Sequence, residues 1–241
     1  MATVKKHYDE VLSEVYSWMF GGFDAGIEKN ISFFDKHRLA PCHSGISVDL
    51  GSGCGFQSIP LARLGYSVTA IDIDSKLLDE LKHNSGGLKI TPVQDDLINF
   101  DKSVEEGIEL AICMTDTLLH LESKEKAVLL FDKVHAALES GGKFIITFRD
   151  LTYELTDTER FLLINSDDNT IFTCFLEYEP ETVKVHDIVY KKSGCKWKLH
   201  KSFYRKLRLS KDWVLDQLSQ CGFSQISSEV DDGVVTVIAQ R

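Results

Sequence analysis

The stretch Val48-Asp49-Leu50-Gly51-Ser52-Gly53-Cys54-Gly55 decides the fold of this chain. Ile46 to Leu50 is apolar and reads as a short buried strand, while Gln57 to Leu64 reads as the first turns of a helix. A strand, a glycine-rich turn and a helix make a place where backbone N–H groups face a ligand at close range. Glycine suits the turn because it adopts positive φ and carries no Cβ to hold a ligand away. The next apolar run, Ser67-Val68-Thr69-Ala70-Ile71, ends in Asp72, whose carboxylate can accept both hydroxyls of a ribose. A dinucleotide fingerprint, G-x-G-x-x-G, would need glycine where Phe56 stands. The spacing here is D-x-G-x-G-x-G.

Outward from this stretch, short apolar runs alternate with helical ones up to residue 150, as in a parallel sheet covered on both faces. Strands are expected near 46–50, 67–71, 89–93, 108–113 and 143–148, and helices near 57–65, 75–84 and 124–139. Gly141-Gly142 is expected to form a turn after the last helix. Upstream, residues 4–38 are helical in pattern, with a break at Gly21-Gly22 and several aromatic residues, so they suit a lid. Downstream, β-branched and aromatic runs joined by polar turns over 159–208 predict an antiparallel meander. A helix from Lys211 to Cys221, capped by Gly222, and a closing antiparallel pair of strands follow. The expected fold class is α/β: a Rossmann-like, mostly parallel seven-stranded sheet with helices on both faces, an antiparallel final strand and an inserted meander. One domain is expected over 1–241: a helical lid (1–40), a cofactor-binding core (41–150), an inserted sheet on the substrate side (151–209) and a closing helix with strands (210–241).

A net charge of −10 weighs against nucleic acid as the substrate. Eight Lys/Arg between Lys191 and Arg208 alternate with aromatic and apolar residues and read as the solvent side of strands. No apolar run is long enough for a membrane span, and the first twenty residues do not resemble a signal peptide, so a cytoplasmic location is expected. The six cysteines are scattered, with no C-x-x-C, and read as reduced thiols without a metal site. A homo-oligomer stays open.

The D-x-G-x-G-x-G run with its downstream acid resembles motif I of the class I S-adenosylmethionine-dependent methyltransferases. That resemblance implies S-adenosylmethionine as cofactor and S-adenosylhomocysteine as product. It places the cofactor across Asp49, Gly51, Ser52, Gly53 and Gly55, its ribose on Asp72, and its adenine against Ile73 and Leu97. Asp95 and Asp96 follow the third strand, and Asp96 fits the adenine amino contact better because Leu97 comes next. The segment Met114-Thr115-Asp116-Thr117-Leu118-Leu119-His120-Leu121 resembles the L-G-N-S-F-x-H-L segment of glycine N-methyltransferase and its relatives. The resemblance implies that Met114 and Thr115 hold the methionine part of the cofactor and that His120 lies on the substrate side. Thr115 for Gly and Asp116 for Asn predict tighter packing and an added negative charge near the sulfonium. Arg149 matches the relatives' arginine that clamps a substrate carboxylate, a task suited to a planar guanidinium. The other reading of Arg149 is a structural bridge to Asp150 or another acid. Tyr8, Trp18 and Tyr153 are expected to wall the pocket, Trp18 on the cofactor side and the two tyrosines with the substrate.

Methyl transfer from a sulfonium needs no protonation of its leaving group, so no catalytic base is assigned. The expected function is methylation of a small-molecule acceptor, with an amino-acid or amine nitrogen favoured. The alternatives are a small-metabolite O-methyltransferase and a non-catalytic module that binds S-adenosylmethionine.

Overall fold

A computed structural model describes residues 4–104 and 107–241. Its main sheet is built from β1 (Ile46–Leu50), β2 (Ser67–Asp72), β3 (Ile90–Gln94), β4 (Ile108–Cys113) and β5 (Leu138–Arg149), all parallel. The chain's last two strands, β10 (Ser224–Asp231) and β11 (Val234–Gln240), join antiparallel at the β5 edge. The spatial order is β10-β11-β5-β4-β1-β2-β3. Strand order reverses between β1 and β4, and in open α/β sheets the crevice at the carboxyl ends of such strands receives the ligand.

Local sequence accounts for most of the elements. Ser47, Val48, Asp49 and Leu50 are all buried, as expected of a strand covered on both faces. The helix α4 (Ser58–Leu64) ends at Gly65, whose φ of 112° is the left-handed cap. In α5 (Ser75–Asn84), the Asp74 carboxylate accepts the N–H groups of Lys76 and Leu77 at 2.9 and 3.0 Å. Gly141-Gly142 does not end the helix before β5. Helix α6 (Lys124–Ala137) stops four residues earlier, and the glycines lie inside β5, where the β4 register jumps from Leu138 to Lys143. The pair forms an irregularity in the strand, with Gly141 at φ 83°.

The meander forms a separate antiparallel sheet of β6 (Phe161–Ser166), β7 (Thr170–Tyr178), β8 (Thr182–Ser193) and β9 (Lys196–Leu207), in that spatial order. The N-terminal segment is a chain of short turns: α1 (Val4–His7), a wide turn over Tyr8–Leu12, a tight one over Ser13–Val15 and α2 (Tyr16–Met19). Gly21 and Gly22, both at positive φ, then redirect it into α3 (Phe23–Lys36). Val11, Leu12 and Val15 pack on Phe172 and Val189 of the second sheet. The closing helix α7 (Lys211–Gln220) precedes β10. Among the described residues, no helix is long and apolar enough to cross a membrane.

Candidate functional site

Leaving β1, the chain turns at Gly51 with φ 82°, and the N–H groups of Gly51 and Ser52 both donate to the Ile71 carbonyl, at 2.8 and 2.9 Å. A Cβ on Gly51 would fall on the Thr117 side chain, so this close approach requires glycine. Gly53 donates its N–H to Asp72 Oδ2 at 2.8 Å, and the N–H of Asp74 donates to Oδ1, also at 2.8 Å. The acid ending β2 is thereby tied to the glycine loop. Burial raises the Asp72 pKa, and these two N–H bonds oppose the rise.

A cavity of about 490 Å³ lies along this edge. Gly51, Gly53, Asp72 and Ile73 line it at the strand ends, with Asp95, Asp96 and Leu97 beyond them. Its other walls come from Thr115, Thr117 and His120 after β4, from Tyr8 and Tyr16 of the N-terminal segment, and from Thr182, Arg205 and Leu207 of the second sheet. Glycine backbone, a carboxylate and flanking apolar side chains on one concave surface fit an adenosyl group.

The segment after β4 is held by long-range ties. Thr115 and Asp116 both take positive φ, 57° and 65°, which is costly for residues other than glycine. The Thr115 N–H donates to Thr147 Oγ1 at 2.8 Å, the Asp116 N–H donates to the Thr147 carbonyl at 3.1 Å, and Gln57 donates to Thr115 Oγ1 at 3.1 Å. The buried Asp116 carboxylate accepts from the Arg149 N–H, from Arg149 Nη1 and from Lys206 Nζ, each at 2.8 Å. Burial alone would raise its pKa, but Lys206 and Arg149 outweigh burial and hold it well below the usual carboxylate range. The charge expected near the sulfonium is therefore already balanced by two cations.

His120 stacks on Tyr204 with ring centroids 5.2 Å apart and meets Tyr8 edge-on at 6.1 Å. Its Nδ1 is shielded and has no hydrogen-bond partner. Burial, then the nearby Lys206 charge, pushes its pKa down to about 3, so the imidazole is neutral. Burial likewise pushes the Tyr8 and Tyr16 phenols up, keeping both neutral.

The N-terminal segment closes the cavity by bonding to both sheets. On the main sheet's side, Ser13 Oγ donates to Asp74 Oδ2 at 2.8 Å, and Ser17 Oγ donates to Glu80 at 2.5 Å. On the other side, Trp18 Nε1 donates to Asp167 at 2.7 Å, and the fully buried His7 pairs with Asp187 at 2.8 Å.

Of the residues predicted from sequence, Gly51, Gly53, Asp72, Ile73, Asp95, Asp96, Leu97, Thr115, His120 and Tyr8 line this one cavity. The others stand elsewhere. Asp49 is buried beneath the loop, accepting from Ser58 Oγ at 2.6 Å, and burial pushes its pKa up to about 7. Ser52 is buried, Gly55 packs where a Cβ would meet Leu81, and Met114 belongs to the core. Trp18 faces the second sheet, and Tyr153 is 79% exposed. Arg149 forms the structural bridge, with Asp116 rather than Asp150 as its partner. Thr117, within the segment that resembles the relatives', lines the cavity too, as do Tyr16, Thr182 and Arg205, which no motif marked. Tyr16 stood within the noted aromatic segment, whereas no local pattern marked Thr182 or Arg205.

Residues 48–142 match the family described as "Methyltransferase domain". An rRNA adenine N-6-methyltransferase of Corynebacterium diphtheriae is 29% identical over 105 residues, covering 41% of this chain and 42% of that protein. The chain thus matches less than half the length of that relative. A Geobacillus sp. (strain WCH70) protein described as a methyltransferase is 21% identical over 97% of this chain and 94% of its own length. Among solved structures, an S-adenosylmethionine-dependent methyltransferase from Clostridium acetobutylicum ATCC 824 superposes with a TM-score of 0.73 at 18% identity, covering 88% of this chain and 91% of that one. A sugar N-methyltransferase from Streptoalloteichus sp ATCC 53650 gives 0.74 at 11% identity, covering 96% and 93%. Residues 48–142 thus resemble a methyltransferase domain, and the whole chain has the fold of the class I S-adenosylmethionine-dependent methyltransferases.

Proposed function

We propose that the chain methylates a nitrogen of a small amino-acid or amine acceptor. The observation that carries this reading is the neutral His120, which lines the same cavity as the Gly51–Gly53 loop. When bound, S-adenosylmethionine supplies an electrophilic methyl group on a sulfonium, whose departure leaves a neutral thioether. Asp72 would take the ribose hydroxyls, and Ile73 with Leu97 would sandwich the adenine. Asp96 uses Oδ1 to cap Ile98, leaving its second oxygen for the adenine amino group.

The chain's own residues then have three tasks. The N-terminal segment excludes water, which strengthens electrostatic interactions inside the cavity. Tyr8 and Tyr16 present neutral rings whose faces favour a nearby cation. His120 accepts a hydrogen bond from the acceptor's N–H and so aims the nitrogen lone pair. Arg149, bonded to Asp116 and absent from the cavity wall, braces the segment that carries His120.

Nitrogen is favoured over oxygen because a hydroxyl requires a strong base, and an imidazole lowered to about 3 is a weak one. The relative acting on rRNA suggests a nucleic-acid acceptor as a second reading, and the net charge of −10 opposes it. The deciding experiment measures S-adenosylhomocysteine release with amines, amino acids, amino sugars, phenols and rRNA fragments. Release with an amine class supports the proposal. Release only with phenols or RNA overturns it, and binding of S-adenosylhomocysteine without turnover would leave a non-catalytic binding module.

A further inference from the structure

His7 and Asp187 form a buried polar pair that none of the tasks at the cavity uses. His7 is 0% exposed and Asp187 2%, and His7 Nε2 meets Asp187 Oδ2 at 2.8 Å. Replacing such a pair by apolar side chains is often neutral or stabilising, so packing alone gives no reason for it. What the pair adds is one fixed place and one fixed plane for the His7 ring. That ring lies against Tyr204, with centroids 4.4 Å apart. Tyr204 in turn stacks on His120, 5.2 Å away at an interplanar angle of 18°. Asp187, His7, Tyr204 and His120 therefore form one unbroken line of contacts that ends at the cavity wall.

The plane of an imidazole is ordinarily set by a hydrogen bond to its second ring nitrogen. His120 lacks one, because its Nδ1 is shielded and has no partner among the described residues. Its orientation comes instead from ring contacts, with Tyr204 stacked against it and Tyr8 edge-on at 6.1 Å. The strand register brings Tyr204 there. It pairs Tyr204 with Val185 and Lys206 with Val183, and alternate residues of a strand share a face, here the core side of the second sheet. From that face Lys206 Nζ reaches Asp116 at 2.8 Å while Tyr204 reaches His120, so β9 grips the turn after β4 at two points.

We propose that Tyr204 is a positioning residue for methyl transfer: it holds the His120 ring in the plane that aims Nε2 at the acceptor, and the His7–Asp187 pair holds Tyr204. This role rests on His120 meeting the acceptor nitrogen, as proposed above. Tyr204 stands behind the cavity wall rather than in it, so it acts through its neighbour and not by touching a ligand. His7 belongs to the N-terminal segment and Asp187 to β8, so the His120 ring is set only when those two elements have come together. The segment that shuts water out thereby also fixes the group that aims the nucleophile, and small errors of aim at a reacting atom are costly.

The test is a double-substitution cycle in the full chain, read as S-adenosylhomocysteine release with the fastest acceptor among the amines, amino acids and amino sugars. Tyr204→Leu removes the stacking ring and is expected to lower kcat/KM about tenfold, the same loss as His120→Asn. Combined, the two are expected to cost no more than either alone, rather than about a hundredfold, because one acts through the other. Tyr204→Phe keeps the ring and is expected to recover what Tyr204→Leu loses, with S-adenosylhomocysteine affinity by calorimetry constant throughout. Asp187→Asn preserves shape and is expected to give a smaller loss that likewise disappears in the His120→Asn background. Losses that multiply in the double variant overturn the role of Tyr204. So does a Tyr204→Leu that keeps full activity while His120→Asn does not. Full activity in His120→Asn overturns the reading of His120 itself, and the role of Tyr204 falls with it. Should circular dichroism show Tyr204→Leu unfolded, the cycle of Asp187→Asn with His120→Asn decides by the same criterion.

Discussion

The two sheets reach the cavity by different means. On the main sheet, the cofactor edge is made by backbone: glycines at positive φ, strand ends, and an acid bonded to N–H groups two and nineteen residues away. On the second sheet, the ties to the cavity's surroundings are made by side chains from distant parts of the chain. Lys206 reaches Asp116 across 90 residues, Asp187 reaches His7 across 180, and Asn165 reaches the Trp18 carbonyl across 147. The first construction needs only a few glycines and acids at fixed spacing. The second depends on pairs of side chains that only the fold brings together.

The largest expected effect tests the second construction. Asp116→Ala leaves Lys206, 14% exposed at its side chain, without its carboxylate, and unfolding stability is expected to fall by about 3–5 kcal/mol. Thermal unfolding measures this, and an unchanged midpoint would break the idea that Asp116 joins the two sheets. Asp72→Ala tests the first construction. It is expected to weaken S-adenosylhomocysteine binding by about 2–3 kcal/mol, near 100-fold by calorimetry, with a smaller loss of stability.

Asp49→Asn sharpens the contrast through pH. Burial raises the Asp49 carboxyl from 3.8 to about 7, so the native state holds its proton more tightly than the unfolded chain. Its contribution to stability is fully present below pH ~4 and is lost as pH rises through ~7. Asparagine carries no such dependence. The variant should therefore match wild type in urea unfolding at acid pH and exceed it by about 4 kcal/mol near pH 8. A constant difference across that window would contradict a buried, protonatable Asp49.

His120→Asn is expected to lower kcat/KM about tenfold while leaving the shape of the pH profile unchanged, because a group at about 3 does not titrate in the assay range. A limb near pH 6.5 that vanishes in the variant would instead identify His120 as a titrating base. Arg149→Ala gives the smallest effect. With its side chain 57% exposed, the bridge to Asp116 is solvent-screened, so a slightly lower unfolding midpoint and an unchanged KM are expected. A raised KM confined to carboxylate-bearing acceptors would restore the clamp.

Much of this architecture could be read from residues alone. The five parallel strands, the meander and the closing pair fall within a few residues of their expected places, apart from β5, which begins at Leu138 and carries Gly141-Gly142 inside it. The irregularity arises because β4 pairs with β5 on both sides of the glycines, a tertiary fact that no local turn signal reports. Likewise, Trp18 and Tyr153 are aromatic residues near motifs, yet packing turns one toward the second sheet and leaves the other in solvent.

By itself, the sequence determined the cofactor edge, because the chemistry there is local: glycine spacing sets backbone dihedrals, and a strand of fixed length delivers Asp72 to the loop. Only the tertiary structure decided which side chains of the second sheet meet the N-terminal segment and the turn after β4. Those depend on which side chains meet across two sheets, and a strand's alternation shows that two faces exist without telling which neighbour, or which charge, each one finds.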